Sequence, residues 1–328
     1  MFDLTITDDN RVDVGMLDVY HVDFSFGADE NDFELTLPVD SEVELAAGCL
    51  LYVEGTDQGG MVTKCRVDTE DGTVTYAGMT WHGILDAHVI RPPEGATHLE
   101  VGGDANDALA DIISSLGLGD LFAASGEPSG FEVSGSFRYV KAYTAIASML
   151  ASHGLKLRIA WDGSHAVLSA EEMVVREADS DQVNFTVERD YLPCNHLVCI
   201  GKGEMEDRAV VDVYADADGN ISQTQTLFGV MENADVYELS SSEEGELLAE
   251  GMDELKERQT AASVEISSEI AADYDIGDVV VVSENITGVT ATAPVNKKIV
   301  SADSGDVSVS AEIGDASISS IGSKVINL

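Results

Sequence analysis

Short apolar and polar alternations separated by turn signals recur along this chain, and they limit it to folds rich in antiparallel sheet. In residues 19–26, Tyr20, Val22, Phe24 and Phe26 share one side of an extended backbone, and mostly polar residues share the other. This period of two predicts a half-buried strand. Similar strands are predicted at residues 33–37, 50–54, 61–67 and 73–77, with turns at Gly59-Gly60 and Asp71-Gly72. The first 95 residues are therefore expected to form a small antiparallel barrel or sandwich.

Helix signals begin after these strands. Asp104 can cap a helix over residues 105–116, and Gly117 follows the last apolar position of that helix. A second helix fits residues 141–152, whose apolar positions form a stripe. The Asp162-Gly163-Ser164 turn then predicts a hairpin between two further strands. This part of the chain is therefore predicted to be a mixed α/β unit.

From about residue 181 the pattern returns to strands with one helix among them. The helix is predicted at about residues 241–262, with Ser241 or Ser242 as its cap and an apolar face that must pack. The strands are predicted at residues 183–188, 197–201, 209–214, 221–228, 264–270, 279–282, 295–300 and 307–313.

These patterns predict a fold that is mainly β with an α/β insertion (α+β). It consists of two small antiparallel β-barrel-like domains plus a mixed α/β unit. Residues 1–95 are the N-terminal barrel-like domain, residues 96–180 the α/β insert domain, and residues 181–328 the C-terminal β-rich domain that contains the helix.

The balance of charge excludes a conventional role in binding nucleic acid. The 328 residues include 61 Asp or Glu against 17 Lys or Arg, a formal net charge of −44. Affinity for DNA or RNA comes largely from Lys and Arg that displace counterions, so this chain is repelled by phosphate backbones. At 44% hydrophobic residues the chain can still bury a core. Three explanations of the acidity stay open: the background of an acidic proteome, a functional negative lining, and adaptation to high salt.

Neither a membrane span nor a disulfide scaffold is predicted. The apolar runs fall far short of the roughly 20 residues that a membrane helix needs, and the first residues lack the basic and apolar regions of a secretory signal. Four cysteines are too few for a disulfide framework in a chain of this length. We therefore expect synthesis in a reducing cytoplasm.

Two clusters of potential metal ligands fail on their geometry. In an extended segment Cys194 and His196 share one face and Cys199 points to the other, so the three cannot converge on zinc. The acidic turn at residues 216–220 has Ile221 where an EF-hand needs glycine, so a hairpin turn is predicted instead. No metal and no cofactor are predicted.

Catalytic motifs are missing from the sequence. It contains no Gly-x-Ser-x-Gly elbow, no His-Glu-x-x-His helix and no cysteine-protease signature. His82, His88 and His98 cluster along the chain, but each is interpreted as a structural histidine whose ring is hydrogen-bonded. The chain is therefore predicted not to be an enzyme.

A series of segments in a fixed order resembles a known family. The stretch that contains Gly78, Trp81, Gly83 and Leu85, followed by Pro92-Pro93, resembles a recurring signature in tail proteins of long-tailed phages that infect Gram-positive hosts. Residues 31–37, 52–60, 102–106, 207–214 and 218–229 are similar to further parts of the same proteins. Residues 275–280, which include Gly277 and Asp278, and residues 295–300 and 313–314 are similar to the closing barrel of phage tail-hub proteins.

The resemblance implies a structural protein of the baseplate or tail-tip hub of a phage or prophage, made in the host cytoplasm and placed in the virion tail. Two similar β-barrels per chain, in a homotrimer, would form a ring of six that meets the hexameric tail tube and distal tail proteins on one side and threefold tip or fibre proteins on the other. DNA would pass through this ring without being bound, and no membrane would be involved. A negative lining would keep the polyanion from adhering.

Two other functions remain as alternatives. One is a tail-associated cell-wall hydrolase, a peptidase or glycosidase, which would need a deep cleft with convergent acid and base groups. The other is a receptor- or glycan-binding module at the tail tip, which would need an exposed aromatic platform. The residues singled out are structural: Gly78, Trp81, Gly83, Leu85, Pro92, Pro93, Gly277 and Asp278. Trp81, beside two glycines, is predicted to be a core anchor where backbones approach closely.

Overall fold

The structure is a computed structural model. It describes residues 2–27, 30–178, 185–190, 192–204, 208–217, 219–240, 244–259, 262–266, 274–283, 289–313 and 317–321. The contacts divide the chain into two compact units. The first comprises Met1–Asn184, Ile266–Val282 and Thr292–Ser317, and the second comprises Phe185–Glu265, Ser283–Ala291 and Ile318–Leu328.

Strands dominate the first unit. Before residue 105 they are β1 (Thr5–Thr7), β2 (Asp13–Met16), β3 (His21–Gly27), β4 (Asp32–Pro38), β5 (Leu50–Tyr52), β6 (Gly59–Asp68), β7 (Thr73–Thr80), β8 (Val89–Ile90) and β9 (Leu99–Asp104). The next are β10 (Phe122–Ala124), β11 (Glu132–Phe137), β12 (Val140–Lys141), β13 (Leu155–Trp161), β14 (Ala166–Glu172) and β15 (Val175–Ala178). Late segments add β22 (Val279–Ser283), β23 (Val289–Asp303) and β24 (Asp306–Ile313).

One long sheet joins the early strands to the late ones. Its hydrogen-bonded path is β15-β22-β23-β3-β4-β7-β6-β5-β1-β2, and β24 also pairs with β23. Ile299 of β23 lies opposite Ser25 of β3 in an antiparallel register. Among the described strands the two ends of this path are not paired with each other. The first strands are predicted to form a barrel or a sandwich, and closure into a barrel is absent from the described pairing.

The alternation that predicted the β3 strand is confirmed by burial. Tyr20, Val22, Phe24 and Phe26 are all at most 4% exposed, whereas His21 on the opposite side is exposed. Each such aromatic or aliphatic side chain stabilises the fold by about 1.5–3 kcal/mol when it leaves water. The hydrophobic face thus fixes the register of this strand.

One predicted turn is wrong. Gly59 and Gly60 begin β6 and pair with β5 and β7 instead of separating two strands. A Cβ added to Gly60 would overlap the backbone of Met79 on β7, so glycine lets two strands approach closely here. The Asp71-Gly72 turn is confirmed, since it lies between β6 and β7.

Three helices belong to the first unit: α1 (Trp81–Asp86), α2 (Ala105–Leu116) and α3 (Ala142–Ala151). The predicted cap of α2 is confirmed, because the Asp104 side chain accepts a hydrogen bond from the Asn106 backbone N–H. Gly117 ends this helix in the left-handed region at φ +69°. The short helix α1 is not predicted by periodicity, because six residues are too few for a helical stripe.

The helices α2 and α3 pack with small sheets around a second core of the same unit. Those sheets are β9 with β11, β8 with β12, and β10-β14-β13, in which β10 runs parallel to β14. The Asp162-Gly163-Ser164 hairpin between β13 and β14 is confirmed. Trp81, Phe122 and Trp161 lie in this core beside the apolar residues of α2 and α3.

The second unit contains β16 (Phe185–Arg189), β17 (His196–Ile200), β18 (Val210–Ala215), β19 (Ile221–Ser222), β20 (Ala234–Glu238), α4 (Glu244–Arg258) and β21 (Ala262–Ile266). The last described strand is β25 (Ser317–Ile321). A sheet of order β19-β18-β17-β20 packs against α4, with Leu247 and Leu255 fully buried. The predicted strand over residues 221–228 is wrong beyond Ser222, since only β19 pairs with β18.

The described residues are thus mainly β with few helices, as predicted. The proposed division at residues 95 and 180 stays a prediction, and the contacts place residues 266–282 and 292–317 with the first unit. None of the helices in the described part of the chain has the length and apolarity of a membrane span.

Candidate functional site

The residues singled out by the sequence begin with a tryptophan at the start of α1. Thr80 caps this helix by accepting a hydrogen bond from the Gly83 N–H at 3.3 Å. Trp81 is 0% exposed and its ring stacks on Trp161 at 5.2 Å, with Phe122 at its edge. Trp81 is therefore placed as a core anchor, in the manner the sequence predicts.

Two glycines beside Trp81 permit close backbone contacts. A Cβ at Gly78 would overlap the Met61 carbonyl oxygen and lie 2.7 Å from the Phe33 ring. A Cβ at Gly83 would overlap the carbonyl oxygen of Asn31. Both positions are sterically restricted to glycine, which explains why glycines flank the tryptophan.

The remaining early residues of the motif differ in burial. Leu85 is fully buried in the core that contains Trp81. Pro92 is half-buried and Pro93 is exposed, and both follow β8 in a segment without regular structure. The structure therefore brings Gly78, Trp81, Gly83 and Leu85 together and leaves the two prolines at the surface.

Gly277 and Asp278 form a separate feature, a tight turn before β22. Gly277 has φ +87° and lies against Lys156, so a Cβ there would be 2.8 Å from the Cβ of Lys156. The Asp278 carboxylate accepts hydrogen bonds from Lys156 Nζ at 2.7 Å and from the backbone N–H groups of Val174 and Asp275, both at 3.1 Å. Asp278 is 1% exposed, and these donors compensate its burial.

A chain of ion pairs extends from this turn. Lys156 Nζ lies 3.7 Å from a carboxylate oxygen of Asp275, and Lys298 Nζ bonds the other oxygen at 2.8 Å. Lys298 also pairs with Asp57 at 3.3 Å. Burial disfavours the charged form of Lys298. The carboxylates of Asp57 and Asp275 outweigh this effect and raise the pKa of the Lys298 ammonium group. Burial raises the pKa of Asp57 despite the neighbouring lysine.

These pairs line a cleft of about 390 Å³ in the first unit. His82 of α1 forms part of its wall, is 4% exposed, and makes edge contacts with Phe26 and Tyr143 at 5.3 Å each. The Nδ1 atom of His82 has no hydrogen-bond partner among the described residues. Burial lowers the pKa of His82 to about 3, with the charge of Lys298 as a second cause, so the ring is neutral at pH 7.

The other histidines of the predicted cluster have partners. A ring nitrogen of His88 lies 2.7 Å from the Ile84 carbonyl oxygen, and His98 is within 3.1 Å of Thr97 Oγ1. The expectation of a hydrogen-bonded structural histidine therefore fails for Nδ1 of His82 alone among these three.

The charged side chains of the cleft pair with one another and hold its walls together. Its cations, Lys156, Lys298 and Arg158, are each paired with a carboxylate. The described lining contains no serine or cysteine that could act as a nucleophile beside His82. The ion pairs join the loop before β6, the strand β13, the turn before β22 and the strand β23 within one unit.

Sequence reasoning missed the lysines of this network, because no local signal marks Lys156 as buried. The chain has only 17 Lys and Arg, and Lys156 lies between two leucines in a predicted strand. The period of two places Lys156 on the face opposite those leucines, together with Arg158, which predicts an exposed side chain and not the observed one at 7% exposure. The partners of Lys156 could not be found in this way, because they come from residues more than 100 positions away.

The second unit contains Cys194, His196 and Cys199, the potential zinc ligands of the sequence. His196 Nδ1 lies 2.6 Å from Glu232, its Nε2 lies 2.9 Å from Asp212, and its ring stacks on Tyr214 at 4.4 Å. Cys199 is buried on the other face of β17, as the period of two predicts. Within the described ranges no group of three or more His, Cys, Asp or Glu side chains could hold a metal ion.

Comparisons with known proteins give remote similarity only. No family model and no curated protein matches the chain. Among solved structures, the prophage tail protein gp18 from Listeria monocytogenes EGD-e is similar, with a TM-score of 0.48 and 13% identity over 95% of this chain and 94% of that one. The 43 kDa tail protein of prophage MuSo2 from Shewanella oneidensis has a TM-score of 0.47 and 13% identity, covering 95% of this chain and 98% of that one.

A third similar structure is a chain of the phage P2 baseplate in its activated conformation. Its TM-score is 0.47 and its identity 10%, with 96% of this chain and 100% of that one covered. Similarity at these values does not identify a function. The function is therefore argued from the residues and contacts of the chain itself.

Proposed function

We propose that this chain is a structural component of a phage or prophage tail and forms the hub at the tail tip or baseplate. One observation carries the proposal. The segment around residues 78–85 and the segments around 275–280 and 295–300, which resemble tail-hub proteins, come from distant parts of the chain and line the same cleft through His82, Asp275 and Lys298. If the resemblance of each segment were due to chance, these distant segments would not be expected to lie together in the fold.

In this proposal the eight residues of the structural motif act through the fold. Glycine at positions 78, 83 and 277 allows close backbone approach, Trp81 and Leu85 fill the core, and Asp278 fixes the turn before β22. Pro92 and Pro93 stiffen the segment after β8. The two barrel-like domains and the α/β insert, divided at residues 95 and 180, are part of the proposal.

The finer proposal is a homotrimer whose barrel-like domains form a ring of six. Such a ring would join the tail tube and distal tail proteins to the tip or fibre proteins, and DNA would pass through it unbound. The net charge of −44 supports this passage, because a lumen lined with carboxylates repels a polyanion. No membrane takes part.

The test is the mass of the chain in solution, by light scattering after size exclusion. We expect a mass three times 34.8 kDa at high protein concentration, favoured by salt because salt screens the repulsion between acidic copies. Negative-stain images of that species are expected to contain rings with a central opening. A compact trimer without an opening would overturn DNA passage, and a dimer or tetramer would overturn the hub.

A cell-wall hydrolase is the second candidate, and the cleft is the observation in its favour. Asp57 has a raised pKa and lies in a cavity of about 390 Å³ with Glu171. Both carboxylates are already paired, with Lys298 and Arg158 respectively, which leaves neither available as a free acid or base. Release of soluble fragments from purified peptidoglycan, abolished in Asp57→Asn, would favour the enzyme over the hub.

A further inference from the structure

The second unit carries an exposed apolar tip between β19 and β20. Its three large side chains, Phe228, Val230 and Met231, are 64%, 91% and 50% exposed. They end a run from Ile221 to Met231 that contains no charged residue, although 24% of the chain is charged. Apolar side chains clustered at this exposure mark a surface that another molecule covers.

Hydrogen bonds hold the base of this tip. The Asn195 side chain, 4% exposed, donates from Nδ2 to the Met231 carbonyl oxygen at 2.8 Å and accepts from the Asn233 N–H at 3.0 Å. The Met231 N–H also donates to the Phe228 carbonyl oxygen at 3.3 Å. The tip is therefore held in one shape before it meets a partner, which lowers the entropy cost of binding.

The first unit carries a groove that, like the tip, is mostly apolar. Its volume is about 410 Å³, and it lies between α3, at Thr144, Ala147 and Ser148, and the β23 residues Pro294 and Val295. The described residues that line it include no Asp or Glu. The one cation among them, Lys156, is paired with Asp278 as described above.

The net charge of the chain limits which surfaces of a second copy can approach this groove. Two copies that each carry −44 repel one another over most of their surfaces, so contacts between them are favoured where carboxylates are absent. The tip and the groove are both uncharged apart from the neutralised Lys156, and the tip offers an aromatic side chain as an anchor. We propose that the tip at residues 228–231 of one copy docks into the groove of a second copy.

The interface joins two different surfaces, so it is heterologous. Copies joined in this way form a closed ring if the rotation closes and a filament if it does not. The number of copies in the ring rests on the proposed hub. The interface itself rests on the charge pattern of the chain.

Two variants test the interface from its two sides. Phe228→Asp places a carboxylate on the exposed tip, and Ser148→Glu places one in the groove at an exposed helix position. Val67→Asp, at a 55% exposed valine outside both surfaces, controls for the added charge. Circular dichroism checks that all three fold like the parent chain.

The variants are compared by light scattering at protein concentrations up to about 1 mM and in about 1 M salt, where screening removes most of the general repulsion. We expect the parent chain and Val67→Asp to associate, and each of the two variants alone to dissociate at least tenfold more readily. An equal mixture of the two variants has one intact junction, from the tip of Ser148→Glu to the groove of Phe228→Asp. It is expected to stop at twice 34.8 kDa.

The outcomes separate this inference from the proposed hub. A trimer that persists in both variants would leave the hub standing and overturn the tip interface. If the parent species is not a trimer and both variants dissociate, the tip interface is supported and the hub is overturned. A parent chain that stays monomeric under all these conditions, or a mixture that forms no heterodimer, would also overturn the tip interface and leave the tip to a different protein.

Discussion

Removing the charge of Asp278 is expected to destabilise the first unit strongly. The Asp278 side chain is 2% exposed and that of its partner Lys156 is 7% exposed, so Asp278→Asn leaves an ammonium buried without its nearest counter-charge. Breaking a buried pair from one side typically costs about 3–5 kcal/mol, and Asp275 at 3.7 Å offsets part of that cost. We expect a decrease of about 3 kcal/mol in the free energy of unfolding.

Replacing Lys156 should lower the free energy of unfolding less than replacing Asp278 does. Lys156→Met leaves the carboxylate with its two backbone N–H donors, from Val174 and Asp275, so we expect a decrease of about 2 kcal/mol. The double variant has no unpaired charge and is expected to lose about 2 kcal/mol, less than Asp278→Asn alone. This decrease is therefore about 3 kcal/mol smaller than the sum of the single effects, and the difference is the coupling energy of the pair.

Urea unfolding followed by tryptophan emission measures these values. Both tryptophans, Trp81 and Trp161, lie in the first unit, so the signal does not include the second. The control is Asp120→Asn, whose 3.2 Å pair with Arg11 is at the surface and is expected to contribute less than about 0.5 kcal/mol. Single effects that add within about 0.5 kcal/mol, or a decrease below about 1 kcal/mol for Asp278→Asn, would refute the reasoning.

Three further predictions concern other sites. Gly83→Ala should lower the stability of the first unit by at least about 2 kcal/mol, because its Cβ would overlap the Asn31 carbonyl, whereas Gly126→Ala, with open space around it, should be neutral in the same urea assay. Burial of the His196 ring opposes its charge, but hydrogen bonds to Asp212 and Glu232 outweigh burial and raise its pKa above the ordinary 6.5. The stability that this ring contributes is therefore fully present below pH 6.5 and is lost as pH rises through the raised pKa; an NMR titration should place that pKa above 6.5 and Glu232→Gln should lower it. Cys65 is exposed, Cys194 is half-buried, and Cys49 and Cys199 are buried, so a thiol reagent should label one site rapidly in the folded chain. Fast labelling that survives the combined change Cys65→Ser and Cys194→Ser would contradict the burial of Cys49 and Cys199.

Local patterns predicted the elements whose signals lie within a few residues. The α2 helix was predicted at its observed bounds because a cap, a periodic apolar stripe and a C-terminal glycine agree there. The β3 strand was predicted because its apolar alternation is regular. By contrast, β9 and β11 pair through Gly102, Gly103 and Gly135, and such glycine-rich segments carry no alternation to detect.

The turn predicted at Gly59-Gly60, and the strand predicted over residues 221–228 beyond Ser222, failed for a common reason. Glycine pairs serve both turns and close strand contacts, and β-forming residues serve both strands and exposed loops. Which role applies depends on the neighbour, such as Met79 beside Gly60. Residues 223–228 have no such neighbouring strand among the described elements.

By itself the sequence determined the mainly β class, the helices α2, α3 and α4, and a net charge that predicts repulsion from nucleic acid. It also indicated that Trp81 would be a core anchor. The tertiary structure alone decided that β23 pairs with β3, that Lys156 meets Asp278, and that Nδ1 of His82 is buried without a partner among the described residues. These features join residues far apart in the chain, and local propensity carries no information about which distant segment will supply the other half of an interaction.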